Sequence, residues 1–181
     1  MHVSIPDVTA LRWYQRWQFR RQQRRYGQVF VPALVWARVP ALHAALSVFY
    51  AAIERRRSPL RPALRSLVQV RVSQLNHCAF CVDLNAALAA ERAGSLDKAL
   101  AVETWRDDPR FTADERAALD YAEAMTLGDR MIDAGLMRHL HEHFDEPALI
   151  ELTALIAFQN LSSKFNAALD IPAQGLCRAP G

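Results

Sequence analysis

Two cysteines, Cys78 and Cys81, stand three residues apart in the run RVSQLNHCAFCVDLN, residues 71–85. If the chain is helical from Cys78 onward, Cys78, Cys81 and Asn85 share one face, because residues three and four apart are neighbours on a helix. At a helix N-terminus, unpaired backbone N–H groups and the macrodipole favour a thiolate, the reactive form of cysteine. One cysteine can then attack an oxidant while the other closes a disulfide and releases the product. From the residues alone three readings stay open: dithiol redox chemistry, half of a metal site, or plain buried packing. Zinc lacks the second Cys-x-x-Cys that would complete its ligands. His139 and His143, at i and i+4, could share a face and hold a metal. They read as readily as a solvated helix end, so the expectation is a site without metal or cofactor. Cys177, in a tail flanked by Pro and Gly, reads as a free thiol, with a third redox partner as the alternative.

Those side chains need helices to position them, and helix signals recur along the chain. A first helix is expected from Asp7 to the residue before Gly27, a glycine suited to the C′ position. Ser58-Pro59 suggests an N-cap and N1 proline for a helix running to about Asn76. Cys78 to Ala93 forms the next, stopped by Gly94, with Ser95 capping a short one after it. Thr112 and Glu115 form a capping box for a helix over 113–127. Asp145 begins a last long helix to about Asp170, with Leu149, Leu152, Leu155, Ile156 and Phe165 on its apolar stripe. No sustained period-2 run and no repeat appears. The expected fold is all-α: one domain, an antiparallel helical bundle over 58–181 with residues 1–57 as an N-terminal helical extension.

Composition agrees with that class. Half the 181 residues are apolar, 23% are charged, and only six are glycine, which favours helix over sandwich or barrel. Charge is uneven: residues 1–57 carry +8 and residues 58–181 carry −5. A basic front half can bind nucleic acid or an anionic membrane, or pack on an acidic surface. Arg12, Arg16, Arg20 and Arg24 recur at i+4 with Trp13 and Trp17 beside them. No base-reading motif accompanies them, so they read as a wet face around two tryptophan core anchors, and no nucleic acid is expected. The apolar stretch 29–53 is interrupted by Pro32, Arg38, Pro40 and His43, too often for a membrane span. It is expected as buried helices, part of it covered by another subunit. Few cysteines and no secretory h-region at the start suit a cytoplasmic protein.

Three ordered blocks, RVSQLNHCAFCVDLN, WRDDPRFTADERAALDYAEAMT and HFDEPALIELTALIAFQN, resemble the carboxymuconolactone decarboxylase / alkyl hydroperoxidase D superfamily over about residues 58–170. The resemblance implies an all-α fold assembled as dimers, trimers or hexamers. For the hydroperoxidase branch it implies that Cys81 attacks the peroxide and that Cys78, the more exposed, resolves the disulfide. Reduction would come from a lipoyl or thioredoxin-like donor. That branch also places a glutamate twelve residues before its first cysteine and a histidine four after its second. Here those positions hold Ser66 and Asn85, and neither ionises near neutral pH. His77 and Asp83 are close in sequence but off the Cys78/Cys81/Asn85 face. His77 is the first candidate to replace the missing proton donor, and the expectation is a slow peroxidase. The rival readings are a decarboxylase-like lyase with a small-acid pocket lined by Arg or His, and a non-enzymatic thiol sensor or interaction protein.

Overall fold

The computed structural model describes residues 1–177, and among them every regular element is helical. The last four positions of the segment 58–181 lie outside the described residues. In chain order the helices are α1 (Trp13–Tyr26), α2 (Val31–Ala37), α3 (Pro40–Ile53), α4 (Pro62–Leu75), α5 (Ala79–Ala93), α6 (Leu96–Leu100), α7 (Ala113–Leu127), α8 (Ala134–His141) and α9 (Glu146–Ala168).

α4 is the centre of the bundle. Every residue from Leu64 to Val70 is buried, as expected of a helix enclosed on all sides. One face, through Leu64, Val68 and Val72, packs with Ala118 and Ala122 of α7 and with Leu152, Leu155 and Ile156 of α9. The other, through Leu67 and Val70, meets Ala86 and Ala89 of α5 together with Trp105 and Phe111. Each large aliphatic side chain so enclosed contributes about 1.5–3 kcal/mol. Hydrogen bonds from Asn85 to Ser73 and from Arg92 to Ser66 show α4 and α5 running antiparallel as a hairpin.

Local signals explain the ends. α7 begins on the Thr112/Glu115 capping box. Asp145 caps α9 by accepting the N–H of Ala148. Gly27 and Gly94 close α1 and α5 in the left-handed conformation. Two starts differ from expectation. α4 begins at Pro62, not beside Ser58, because the Ser58 hydroxyl is used in a turn: it accepts the N–H of Leu60 and donates to Glu151. The first helix is interrupted after a short 3-10 turn at Val8–Ala10, capped by Asp7, and α1 starts only at Trp13.

The first 57 residues lie against the hairpin and α9 through aromatic contacts. Trp36 stacks on Phe165 at 3.7 Å, Phe30 meets Phe80 at 5.6 Å, and Phe49 meets Phe158 at 5.2 Å between ring centres. Trp13 and Trp17 are not core anchors: they are 76% and 58% exposed, and α1 buries Phe19 and Gln15 instead. The four arginines at i+4 spacing face solvent. α3 is less enclosed than its composition suggests, with Leu42, Val48 and Phe49 exposed. No described helix is long and apolar enough to cross a membrane.

Candidate functional site

The link between α4 and α5 brings both cysteines to the head of α5. Asn76 ends α4, and His77 takes a left-handed conformation at φ 52°. The N–H of His77 then reaches the Gln74 carbonyl, and that of Cys78 reaches the Ser73 carbonyl, both at 3.0 Å. This is a glycine-type helix stop made by a histidine. The His77 side chain is exposed and does not line the cavity described below. In the structure its backbone forms the turn between α4 and α5.

The turn lets α5 start at once. Cys78 is its N-cap, and its sulfur accepts the backbone N–H of Cys81 at 3.2 Å. The two cysteines are joined as a disulfide, with Cα atoms 5.2 Å apart. Their exposure departs from expectation. Cys78 is 1% and Cys81 3% exposed, so the first cysteine is not the open one. Cys78 lies in an apolar cluster with Phe30, Phe80 and Ile171, against which Val3 and Leu176 also pack. Cys81 belongs to the same cluster but also lines a cavity of ≈ 260 Å³.

That cavity lies among α1, α2, α3, α4, α5 and α9. Aromatic side chains form much of its wall, with Tyr26, Phe30, Trp36, Phe80 and Phe158 all contributing. The wall also carries polar groups, among them the amides of Gln69, Asn85, Gln159 and Asn166. Asn166 of α9 donates to Cys81 Sγ at 3.2 Å. Asn85 does not touch that sulfur: its amide donates to Ser73 Oγ at 3.2 Å, and Gln159 donates to the same oxygen at 3.0 Å. Ser66, the other expected relay position, is fully buried and accepts a hydrogen bond from Arg92 at 2.9 Å. Arg92 in turn pairs with Glu54 at 2.6 Å. The structure therefore brings Cys78, Cys81 and Asn85 to one end of the hairpin. Ser66 lies with Arg92, seven residues and roughly two turns farther along α5 than Asn85.

Among the described residues no Arg, Lys, Asp or Glu lines the cavity. The ionisable side chains among its lining residues are Tyr26, Tyr50 and His43. Burial raises both tyrosines above their usual range, which keeps them neutral. Burial also lowers His43 below its ordinary value. His43 is 4% exposed, stands against Phe19, and makes no ring hydrogen bond among the described residues.

Three other sequence candidates have structural places. Asp83 accepts the N–H groups of Gln174, Leu176 and Cys177 at 2.9, 3.0 and 2.7 Å, so it anchors the C-terminal segment. Cys177 is a free thiol in a different apolar cluster from the pair, and burial pushes its pKa up. His139, Glu142 and His143 gather at the exposed end of α8, their ligand atoms within 4.8 Å of one another. Reading the sequence missed Asn166, Gln69, Gln159 and His43. The signal for two of them was present, as polar residues at 159 and 166 interrupt an apolar helix. His43 likewise interrupts an apolar run.

Residues 40–124 match the carboxymuconolactone decarboxylase family. The uncharacterized protein YnjA of Escherichia coli (strain K12) is 47% identical over 178 residues, 98% of each chain. The fold is similar to an alkylhydroperoxidase AhpD core, an uncharacterized peroxidase-related protein from Ralstonia eutropha JMP134. That likeness has a TM-score of 0.87 at 20% identity and covers 96% of this chain and 92% of the other. It is also similar to the debrominase Bmp8, in a cysteine-to-alanine form in complex with 2,3,4-tribromopyrrole. There the TM-score is 0.79 at 22% identity, over 96% and 95% of the two chains.

Proposed function

The chain belongs to the carboxymuconolactone decarboxylase family, and from that premise we propose that it is a thiol oxidoreductase of the alkyl hydroperoxidase D type. In this reading a Cys78–Cys81 dithiol/disulfide cycle reduces hydroperoxides in antioxidant defence. The observation that carries it is Cys81 Sγ on the wall of a cavity, joined to Cys78 and hydrogen-bonded by Asn166.

Atoms and electrons balance in this cycle. The Cys81 thiol loses its proton, and the thiolate attacks the distal peroxide oxygen. The O–O bond breaks, and the alcohol leaves after taking up a proton. Cys81 is now a sulfenic acid. The Cys78 thiol attacks it, water leaves, and the disulfide forms. An external dithiol, of the lipoyl or thioredoxin kind, returns two electrons. The Asn166 N–H stabilises the thiolate, as hydrogen bonds to charged groups do. Neither Ser66 nor Asn85 can supply the proton, so turnover is slow. We further place the protein in the cytoplasm as a homo-oligomer, joined through the exposed apolar side chains of α3.

Two features bear on the alternatives. The cavity wall has no Arg or Lys, and burial lowers the pKa of its His43, so it offers no fixed positive charge to a lactone acid's carboxylate, which disfavours the decarboxylase reading. Its aromatic lining favours flat apolar molecules, the kind the debrominase Bmp8 is seen to bind, so halogenated pyrroles form a second substrate class. The test is steady-state turnover with a dithiol reductant, using cumene hydroperoxide and a bromopyrrole in parallel. Slow hydroperoxide turnover that vanishes in Cys81→Ser is expected. A reversible disulfide with no turnover of either compound would leave a thiol sensor in its place.

A further inference from the structure

The two sulfurs differ in how they can be reached, and the difference runs opposite to the roles implied by the family resemblance. Cys81 meets the cavity and Cys78 does not. Cys78 sits in the cluster that Ile171, Leu176 and Val3 complete, at 1% exposure. Those covering segments are tied down. Asp83 takes three backbone N–H groups from residues 174–177. The N-terminal ammonium pairs with Asp170 at 2.7 Å, and the His2 N–H reaches the Leu169 carbonyl at 3.0 Å. Segments near both ends of the chain thus close over the first cysteine.

We propose that the reductant enters at Cys81 through the cavity, with Cys78 as the sealed leaving group. The proposal rests on the reading that the pair cycles between dithiol and disulfide. Exchange rates depend on which sulfur is open to attack and on how well the other leaves as a thiolate. Access selects Cys81. Leaving ability favours Cys78, whose sulfur accepts the Cys81 N–H at the N-terminus of α5, a hydrogen bond that stabilises the departing thiolate.

The step balances. A thiolate of a small or slender dithiol attacks Cys81 Sγ, forming a mixed disulfide and breaking the Cys78–Cys81 bond. Cys78 departs with the electron pair. The second thiol of the reductant, once deprotonated, attacks its own sulfur in the mixed disulfide. Cys81 is released as a thiolate, and the reductant leaves as a cyclic disulfide. Two electrons have entered the protein, and protons lost and gained exchange with solvent. Substrate and reductant then use one cavity in turn, so each competes with the other.

The test maps the adduct. The oxidised native protein is treated with a neutral monothiol, quenched in acid, and the mixed disulfide is located by peptide mass spectrometry. An adduct on Cys81 is expected, and an adduct on Cys78 overturns the proposal. In a Cys177→Ser background, reduced Cys78→Ser and Cys81→Ser variants are titrated with 4,4′-dithiodipyridine. Cys81 should react faster than Cys78 by on the order of tenfold or more. Adding Asp83→Ala should speed the reaction of Cys78 and leave that of Cys81 unchanged. Equal rates for the two cysteines would also overturn it. Absence of hydroperoxide turnover with the adduct still on Cys81 removes the peroxidase reading and leaves this one standing. Turnover with the adduct on Cys78 does the reverse.

Discussion

Asn166 Nδ2 lies 3.2 Å from Cys81 Sγ, joining residues 85 positions apart in the chain. Asn166 is 1% exposed. Its donor is aimed at the one sulfur that faces the cavity.

A buried hydrogen bond to a charged group contributes about 1.5–3 kcal/mol, and one pKa unit corresponds to about 1.4 kcal/mol. Asn166→Ala removes that hydrogen bond and should therefore move the alkylation profile of reduced Cys81 to higher pH. The measurement is alkylation rate against pH in a Cys78→Ser, Cys177→Ser background. An unchanged profile would show that the amide does not act on the thiolate.

The geometry separates the two missing relay positions. Asn85 is on the cavity wall, whereas Ser66 faces Arg92. Asn85→His should speed hydroperoxide turnover toward the about 10²-fold typical of a positioned acid–base group. Ser66→Glu should add little, because its carboxylate would meet the Arg92 guanidinium and compete with Glu54 for it. Turnover rising only in the double variant would contradict this placement.

His77 holds a left-handed conformation that costs a non-glycine residue about 1–2 kcal/mol. His77→Gly should raise the unfolding free energy by up to about 1 kcal/mol once the entropy of glycine is set against that gain, read as a higher denaturation midpoint. Hydroperoxide turnover should be unchanged. A large loss of turnover would return His77 to the chemistry.

His43 supplies a pH dependence. Burial lowers its folded pKa below its ordinary value, so near that value the unfolded chain binds more protons than the folded one. Stability from this group is present above the unfolded pKa, about 6.5. It is lost as pH falls through the lowered folded pKa. Urea midpoints should drop between neutral and mildly acidic pH, and His43→Phe should flatten that slope. Equal slopes in both proteins would exclude His43 as the cause.

The helices were legible where the signal is local. The Thr112/Glu115 box and the Asp145 cap mark the starts of α7 and α9, and Gly27 and Gly94 mark two ends. What the sequence does not carry is which side chains meet over distance. Ser58 looks like a cap until Glu151, 93 residues away, takes its hydroxyl. Trp13 and Trp17 are apolar by type, yet Phe19 takes the inward face of α1. At the site, the Cys78/Cys81 spacing put the pair within disulfide reach. Burial of Cys78 depends on Val3 and Ile171, far apart in the chain, and no local pattern announces that.

The central claim is that the pair itself reduces the peroxide, and a single turnover tests it most directly. Fully reduced protein is mixed with one equivalent of cumene hydroperoxide in the absence of any other thiol. The account predicts one equivalent of alcohol, loss of two thiols, a mapped Cys78–Cys81 disulfide, and none of these in Cys81→Ser. Alcohol formed at the same rate without Cys81, or peroxide left unconsumed while both thiols stay free, would contradict it.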